Sequence, residues 1–282
     1  MPFFDMGGVL ADTPAIEKDL LGHALSLAQD LGAKSLELRH TAPLAMQSGE
    51  QGLKLDFNSQ PVHCFTASRK VRMLLDLPGS SDALMKSFKS KLRNQINRPL
   101  KEGLKVKSGG AELVDEFYQV FLENMRDLGS PVHAKRLFEN VVAEFQDKAR
   151  IFLVHKAGLP LAAALTIGFN GTLENPWASA LRRYSQLSPN MLLYWGMLDY
   201  AAQNAFALFN FGRSTPGEGT FKFKEQWGAH PGPLYWHSIG GKNSEDGGGD
   251  VGRFKAAAAV WKGLPVWVTK ILGPPLRKHI SL

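Results

Sequence analysis

Three strands written in direct succession and closed by a helix are what leave this chain the fewest folds. From residue 150 an apolar pattern of period two runs to 155 and turns at Ala157-Gly158. It returns over 161–169, turns at Asn170-Gly171, and returns again to about 181. Asn-Gly between two alternating segments is a strong type I′ hairpin signal, because both turn residues must take positive φ. Ser188-Pro189 then predicts a helix start, with serine as cap and proline in the first turn. Leu192, Leu193, Trp195, Leu198 and Ala202 carry that helix. A short strand at 208–211, a loop at 212–219, a short helix at 220–227 ended by Gly228, and a last strand at 234–237 follow. Two further helices come before the meander, marked by Val114, Phe117, Phe121 and Met125, then by Leu137, Phe138, Val141, Val142 and Phe145. Helices, an antiparallel meander and a crossover give an α+β class with α/β layering.

Upstream, Asp12-Thr13-Pro14 starts a helix with an apolar stripe of Ile16, Leu20, Ala24, Leu27 and Leu31, widened by Leu21, Leu25 and Ala28 and closed by Gly32. Strands are expected at 35–40, 62–66 and 70–77. The next segment carries Lys86, Lys89, Lys91, Arg93, Arg98, Lys101, Lys105 and Lys107 against the single acid Glu102. Met85, Phe88, Leu92 and Ile96 keep a helical stripe through it, so it predicts an amphipathic basic helix up to about Pro99. Two readings stand: a solvated helix face, or a surface that tracks phosphates and relieves the mutual repulsion.

Of the 282 residues 44% are hydrophobic and 21% charged, enough for a substantial core. The net charge of +7 favours an anionic partner. Cys64 is the one cysteine, so no internal disulfide forms, and it reads as a small hydrophobe beside a strand in a reducing compartment. The amino terminus lacks the basic stretch of a signal peptide. The longest apolar run, 157–169, contains Pro160 and falls short of the roughly 20 residues that span a bilayer. A cytoplasmic location follows. The eight histidines show no H-E-x-x-H spacing, so no metal is expected. Pro216 stands where a nucleophile elbow needs glycine, which argues against a serine hydrolase. No phosphate-binding Walker loop is present.

Two clusters remain as candidate chemistry. Arg182 and Arg183 end a strand just before Ser188 and Asn190 begin a helix. A helix N-terminus offers unpaired amides and a positive dipole end, so these four residues form a candidate phosphate site; the plain alternative is two surface charges and a cap. The second cluster runs from Phe211 to Lys224 at a strand end, where glycines allow close backbone approach.

The stretch from Leu74 to His237 resembles the FemAB family, and within it the proteins found with exosortase and PEP-CTERM systems in exopolysaccharide-producing bacteria. The matching pieces are 90–96, 123–131, Leu187-Ser188-Pro189-Asn190-Met191-Leu192-Leu193-Tyr194-Trp195, and Phe211-Gly212-Arg213-Ser214 through Phe223-Lys224-Glu225-Gln226-Trp227-Gly228. Trp261 to Pro265 and Leu272-Gly273-Pro274 resemble the same subgroup. The resemblance implies tandem acyl-CoA N-acyltransferase (GNAT) domains: a first at 1–108 with a basic helix at 83–103, and a catalytic second at 109–239. It also implies that the opening strands of the first domain are missing, because residues 1–4 match an internal segment of the family.

The implied activity is acyl or aminoacyl transfer to an amine of a cell-envelope, peptidoglycan or exopolysaccharide precursor. The donor is a cosubstrate, aminoacyl-tRNA or an acyl-CoA or acyl carrier, with no bound cofactor. Phe223 and Lys224 occupy the positions of the family's catalytic pair, placed against the reacting ester; a fixed ammonium there would stabilise the oxyanion. The plain alternative for Lys224 is a surface lysine. Tyr194, Trp195, Arg213 and Ser214 are the implied substrate pocket, and Glu174, Asp199 and Glu218 are unranked candidate bases. The glycine loop that holds CoA in acetyltransferases is replaced by Ser185-Gln186-Leu187-Ser188-Pro189-Asn190, which disfavours acetyl-CoA. Alternatives are a CoA- or acyl-carrier-dependent N-acyltransferase, and a non-catalytic nucleic-acid-binding or envelope-assembly module. A Gly-rich linker at 240–252 precedes a tail at 253–282 that alternates aromatics with lysines, a pattern suited to an anionic membrane surface.

Overall fold

The computed structural model describes residues 5–45, 54–57, 60–240, 251–278 and 280. The expectations about residues 1–4 and most of the linker lie outside them. Two compact units emerge, neither of them continuous in sequence: Met1–Met73, Arg213–Lys222 and Pro231–Asp250 form one, and Leu74–Gly212, Phe223–His230 and Val251–Leu282 the other. The division therefore differs from a sequential boundary at 108/109, and the basic segment belongs to the larger unit.

In the smaller unit Thr13 caps α1 (Pro14–Asp30), its Oγ1 accepting from the Ile16 amide at 3.3 Å. The sheet is antiparallel in the order β1-β11-β3-β2, made of Leu36–His40, Tyr235–Ile239, Gln60–Ala67 and Lys54–Phe57. The expected stripe of α1 is corrected here. Leu21, Leu25 and Ala28 meet Leu38 and Ile239 in the core, while Ile16, Leu20, Leu27 and Leu31 are exposed. Both stripes carry helical spacing, so periodicity alone does not choose between them. Cys64 packs beside this core.

The larger unit is built on β9-β8-β7-β6-β5 of a seven-stranded sheet whose order is β10-β4-β9-β8-β7-β6-β5. These strands are β4 (Val71–Asp76), β5 (Lys105–Gly109), β6 (Ala149–Lys156), β7 (Leu159–Phe169), β8 (Thr172–Ala180), β9 (Leu208–Ser214) and β10 (His230–Pro233). Helices α4 (Val114–Leu128) and α6 (Pro189–Gln203) both pack on β6–β8, so β7 is buried continuously from Leu161 to Ile167. Both hairpins turn through two residues of positive φ, Ala157 and Gly158 at 50° and 80°, Asn170 and Gly171 at 45° and 72°; Asn-Gly suits that conformation, whereas Ala157 adopts it against its preference. β5 and β10 are short and largely exposed, and neither is marked in the sequence reading.

The single basic helix expected at 83–103 is two helices, α2 (Ser81–Ser87) and α3 (Ser90–Lys101). Phe88 is extended between them and buries its ring, and Arg93 Nη1 donates to the Phe88 carbonyl at 2.9 Å. Pro99 sits in the last turn of α3, two residues before the helix ends, and gives no amide to the carbonyl four residues back. The helix α5 (Lys135–Phe145) fills the space beside α4 with Phe138, whose ring meets those of Phe117, Phe121 and Trp177.

The tail forms α8 (Val251–Lys262) and α9 (Val266–Arg277), both packed on α4. α8 begins inside the expected linker. α9 buries Thr269, Gly273 and Arg277, one residue per turn. A Cβ on Gly273 would lie 2.8 Å from Val132 Cγ1, which explains a glycine inside this helix. Arg277 Nε faces His133 Nε2 at 3.3 Å beneath it.

Candidate functional site

β8 and β9 are parallel, joined through α6, and paired only at Thr172–Leu208, Leu173–Phe209 and Glu174–Asn210. Beyond those pairs they part. The cause is visible in β8 itself. Its register against β7 slips between Leu165 and Ile167, so Asn175 and Pro176 together oppose Thr166. Proline gives no amide to a ladder, so Pro176 marks the bulge. The bulge turns Asn175 toward α6, where its Nδ2 donates to the Tyr194 hydroxyl at 3.4 Å, while Trp177 stays against Phe138.

A chain of hydrogen bonds crosses this opening. Asn210 Nδ2 donates to Glu174 Oε2 at 2.8 Å, and the Gly212 amide donates to Asn210 Oδ1 at 2.9 Å. Lys224 Nζ, from α7 (Gly219–Glu225), donates to the Gly212 carbonyl at 3.0 Å. Gly212 takes φ of 76°, a conformation open to glycine at little cost, and this places its amide and carbonyl on two partners. Lys224 is 7% exposed, which sets aside its reading as a surface lysine. A buried ammonium is tolerated only where hydrogen-bonded, so its position is strongly fixed.

Phe223 lies half-buried with its ring 5.0 Å from that of Tyr194, edge to face. Tyr194 is buried, stacks on Phe211 at 5.5 Å, and burial pushes its hydroxyl up to about 12. It is therefore a neutral hydrogen-bonding group at physiological pH. Gln226 Nε2 reaches Met191 Sδ at 3.9 Å, which links the end of α7 to the first turn of α6. Trp195 points elsewhere, its ring 6.3 Å from Phe88.

The phosphate-site residues divide. A cavity of about 320 Å³ opens where β8 ends and α6 begins, lined by Arg182, Ser188 and Asn190 together with Asn124, Asp127 and Ser185. Arg182 and Asn190 are exposed at its edge. Arg183 is instead ion-paired with Glu123 and lies over the Tyr184 ring. Ser188 corrects the capping expectation. It takes φ of 52° and makes no side-chain cap bond; its carbonyl accepts from the Met191 amide at 3.0 Å. Left-handed backbone at a non-glycine residue is strained, and such strain collects at binding sites.

Arg213 and Ser214 lie in the smaller unit by this division. Arg213 pairs with Asp5 at 3.5 Å and lies 5.0 Å over the Trp236 ring. Ser214 is buried, and its Oγ has no hydrogen-bond partner among the described residues. Of the candidate bases, Glu174 joins the chain to Lys224 through Asn210, whereas Asp199 accepts from Gln203 on the far part of α6. Asn175 and Asn210 are the residues that sequence reasoning missed. Pro176 inside a strand pattern is the signal that points to Asn175; nothing marks Asn210.

Residues 86–225 match the family described as acetyltransferase (GNAT) domain. Over 128 residues the chain is 25% identical to the UDP-N-acetylmuramoylpentapeptide-lysine N(6)-alanyltransferase of Weissella viridescens. That stretch is 44% of this chain and 38% of that enzyme, so well under half of the relative's length is matched. The crystal structure of FemX superposes with a TM-score of 0.59 at 16% identity, covering 82% of this chain and 79% of that one. The C-terminal domain of a putative lysylphosphatidylglycerol synthetase from Agrobacterium fabrum gives 0.58 at 13%, covering 88% and 77%. At such identities the structural likeness speaks for the fold alone. The expected α+β class and GNAT fold hold.

Proposed function

Taking a FemAB-like GNAT chain as the premise, we propose that it transfers an acyl or aminoacyl group to an amine on a cell-envelope or exopolysaccharide precursor. The observation that carries this reading is the buried Lys224 ammonium, held on the Gly212 carbonyl beside the opening between β8 and β9. The amine nitrogen of the acceptor bonds to the carbonyl carbon of the donor ester. The negative charge that builds on the carbonyl oxygen is stabilised by Lys224, and the intermediate then breaks its bond to the leaving oxygen or sulfur. The proton shed by the nitrogen needs a base. Glu174 is the candidate, because Asn210 ties it to the same backbone turn as Lys224. Phe223 and Tyr194 wall the site with aromatic surface that excludes water and strengthens such electrostatics.

The donor's phosphate is assigned to the cavity at the start of α6, with Arg182, Ser188 and Asn190. That assignment suits both the 3′ end of an aminoacyl-tRNA and a CoA ester, and the alanyl transfer in the relative's name supports an aminoacyl donor. The exposed lysines of α2 and α3 suit an RNA partner. No helix among the described residues is long and apolar enough to cross a membrane. We assign the protein to the cytoplasm, with α9 resting on the anionic inner face of the membrane: Trp267 and Ile271 are 67% and 64% exposed beside Lys270 and Lys278. Calorimetry of the purified protein with charged tRNA, uncharged tRNA, acetyl-CoA and a long-chain acyl-CoA tests the donor. Preference for charged tRNA supports aminoacyl transfer; binding of a CoA ester alone replaces it with CoA-dependent N-acylation.

A further inference from the structure

Two helices leave groups of large apolar side chains in solvent. On α1, Ile16, Leu20 and Leu27, with Leu31 at the C-cap, follow one another at intervals of four, seven and four residues and so share one face. Leu21, Leu25 and Ala28 turn away from that face into the core of the smaller unit. Leu27 and Leu31 are 58% and 75% exposed. A single exposed leucine is ordinary, but a row along a helix of 17 residues, about 26 Å, marks an interaction surface. The second helix is α9. It buries Thr269, Gly273 and Arg277 and leaves Trp267, Ile271, Leu272 and Leu276 exposed.

The two helices carry opposite charge. Between Asp12 and Asp30 the chain has the acids Asp12, Glu17, Asp19 and Asp30 against Lys18. Between Val251 and Leu282 it has Arg253, Lys255, Lys262, Lys270, Arg277 and Lys278 and no acid. Asp12, Asp19 and Asp30 are exposed, as are Lys262, Lys270 and Lys278. This segregation decides what can cover the row on α1. An antiparallel pair of α1 helices would set one acidic flank against another, and like charges on facing flanks repel. Anionic lipid is disfavoured at α1 for the same reason. An apolar face bordered by lysines satisfies both the row and its acids, and α9 is such a face.

We propose that α1 of one copy of this chain docks on α9 of a second copy, apolar face on apolar face, with the acids of α1 beside the lysines of α9. The contact joins unlike surfaces, so it either closes reciprocally within a pair or continues to a third copy. Two short helices bury less than the roughly 1,200 Å² at which standard interfaces begin, so the association is weak, with a Kd on the order of 10 µM. α9 cannot meet a second α1 and a lipid surface at once. The pairing therefore belongs to the protein in solution and gives way to the membrane contact proposed above. It does not rest on the transfer chemistry.

Sedimentation equilibrium of the full chain, from well below to well above about 10 µM, tests it. The mean mass should rise from that of one chain toward two or more, and high salt should weaken the association several-fold. Leu20→Ser with Leu27→Ser should hold the protein at one chain, as should Trp267→Ser with Ile271→Ser. All four side chains are exposed, so melting temperatures should stay near that of the parent. Mixing these two double variants leaves one intact α1 and one intact α9, and should restore a one-to-one pair that neither forms alone. Asp19→Lys with Asp30→Lys should weaken association by about tenfold, and adding Lys270→Glu with Lys278→Glu should recover most of it. A parent that stays at one chain throughout overturns the proposal. So does association that survives either folded double variant, or a mixture that forms no pair. None of these results touches the assignment of Lys224.

Discussion

Lys224 donates its ammonium proton to the Gly212 carbonyl at 3.0 Å, and the same glycine gives its amide to Asn210. One residue in left-handed backbone thus anchors both the proposed catalytic cation and the amide that holds Glu174. Replacing Lys224 with methionine keeps the volume and removes the charge. The transfer rate is expected to fall by about a hundredfold to a thousandfold, the scale of one oxyanion donor. Unfolding in urea should shift by about 1–3 kcal/mol, because the Gly212 carbonyl loses a donor. A variant that unfolds as the parent does yet keeps full single-turnover rate removes Lys224 from the chemistry.

Asn210→Asp keeps the shape and places a second carboxylate against Glu174. Two neighbouring carboxylates cannot both ionise freely, so one pKa rises. The acidic limb of the rate-against-pH profile should move upward if Glu174 is the base. An unmoved limb, with normal folding, assigns the proton to another group.

The two arginines before α6 are expected to separate. Arg182 lines the cavity, whereas Arg183 is paired with Glu123. Arg182→Ala should raise the donor KM several-fold without changing the melting temperature. Arg183→Ala should cost under about 1 kcal/mol of stability, as exposed ion pairs do, and leave KM near its parent value. The reverse ranking in steady-state kinetics moves the phosphate site to Arg183.

Acid should destabilise the larger unit through His133. Burial, then the neighbouring Arg277 charge, lowers this histidine from 6.5 to about 4. The unfolded chain therefore takes up a proton that the folded chain refuses. Stability is full above pH 6.5 and declines as pH falls toward 4. His133→Phe should flatten that slope in urea midpoints measured at pH 7.5, 6 and 5. An unchanged slope removes His133 as the cause and leaves His237 of the smaller unit, which burial and then the neighbouring His40 lower to about 4.

Membrane contact through α9 predicts a dependence on lipid charge. The parent should float with vesicles containing phosphatidylglycerol and not with neutral vesicles. Trp267→Ser with Ile271→Ser should abolish flotation while leaving transfer to a soluble acceptor intact, since both side chains point to solvent. Equal flotation of parent and double variant sinks the assignment.

The meander and α6 are legible in sequence because their signals are local: a glycine in each turn, Asn-Gly in the second, and a clean change of period. The Phe-Lys pair is legible only through the family resemblance, since nothing in its spacing announces a buried ammonium. The buried face of α1 is not legible, because Leu20 and Leu21 each begin a valid helical stripe and the choice is made by Leu38 and Ile239, far away in sequence. The break at Phe88 is hidden for a similar reason. No glycine or proline marks it, and the ring is drawn out of the helix by Trp195 and Trp227. Ser188 reads as a cap because residue type predicts side-chain bonding and does not predict φ.

α9 lies on α4, with roughly 140 residues of chain between them by the separation of their sequences, and Gly273 and Arg277 complete the surface over Val132 and His133. The cover over Val132 and His133 is therefore completed only when α9 has been made and has docked, so this contact closes a long loop late in the order of the chain.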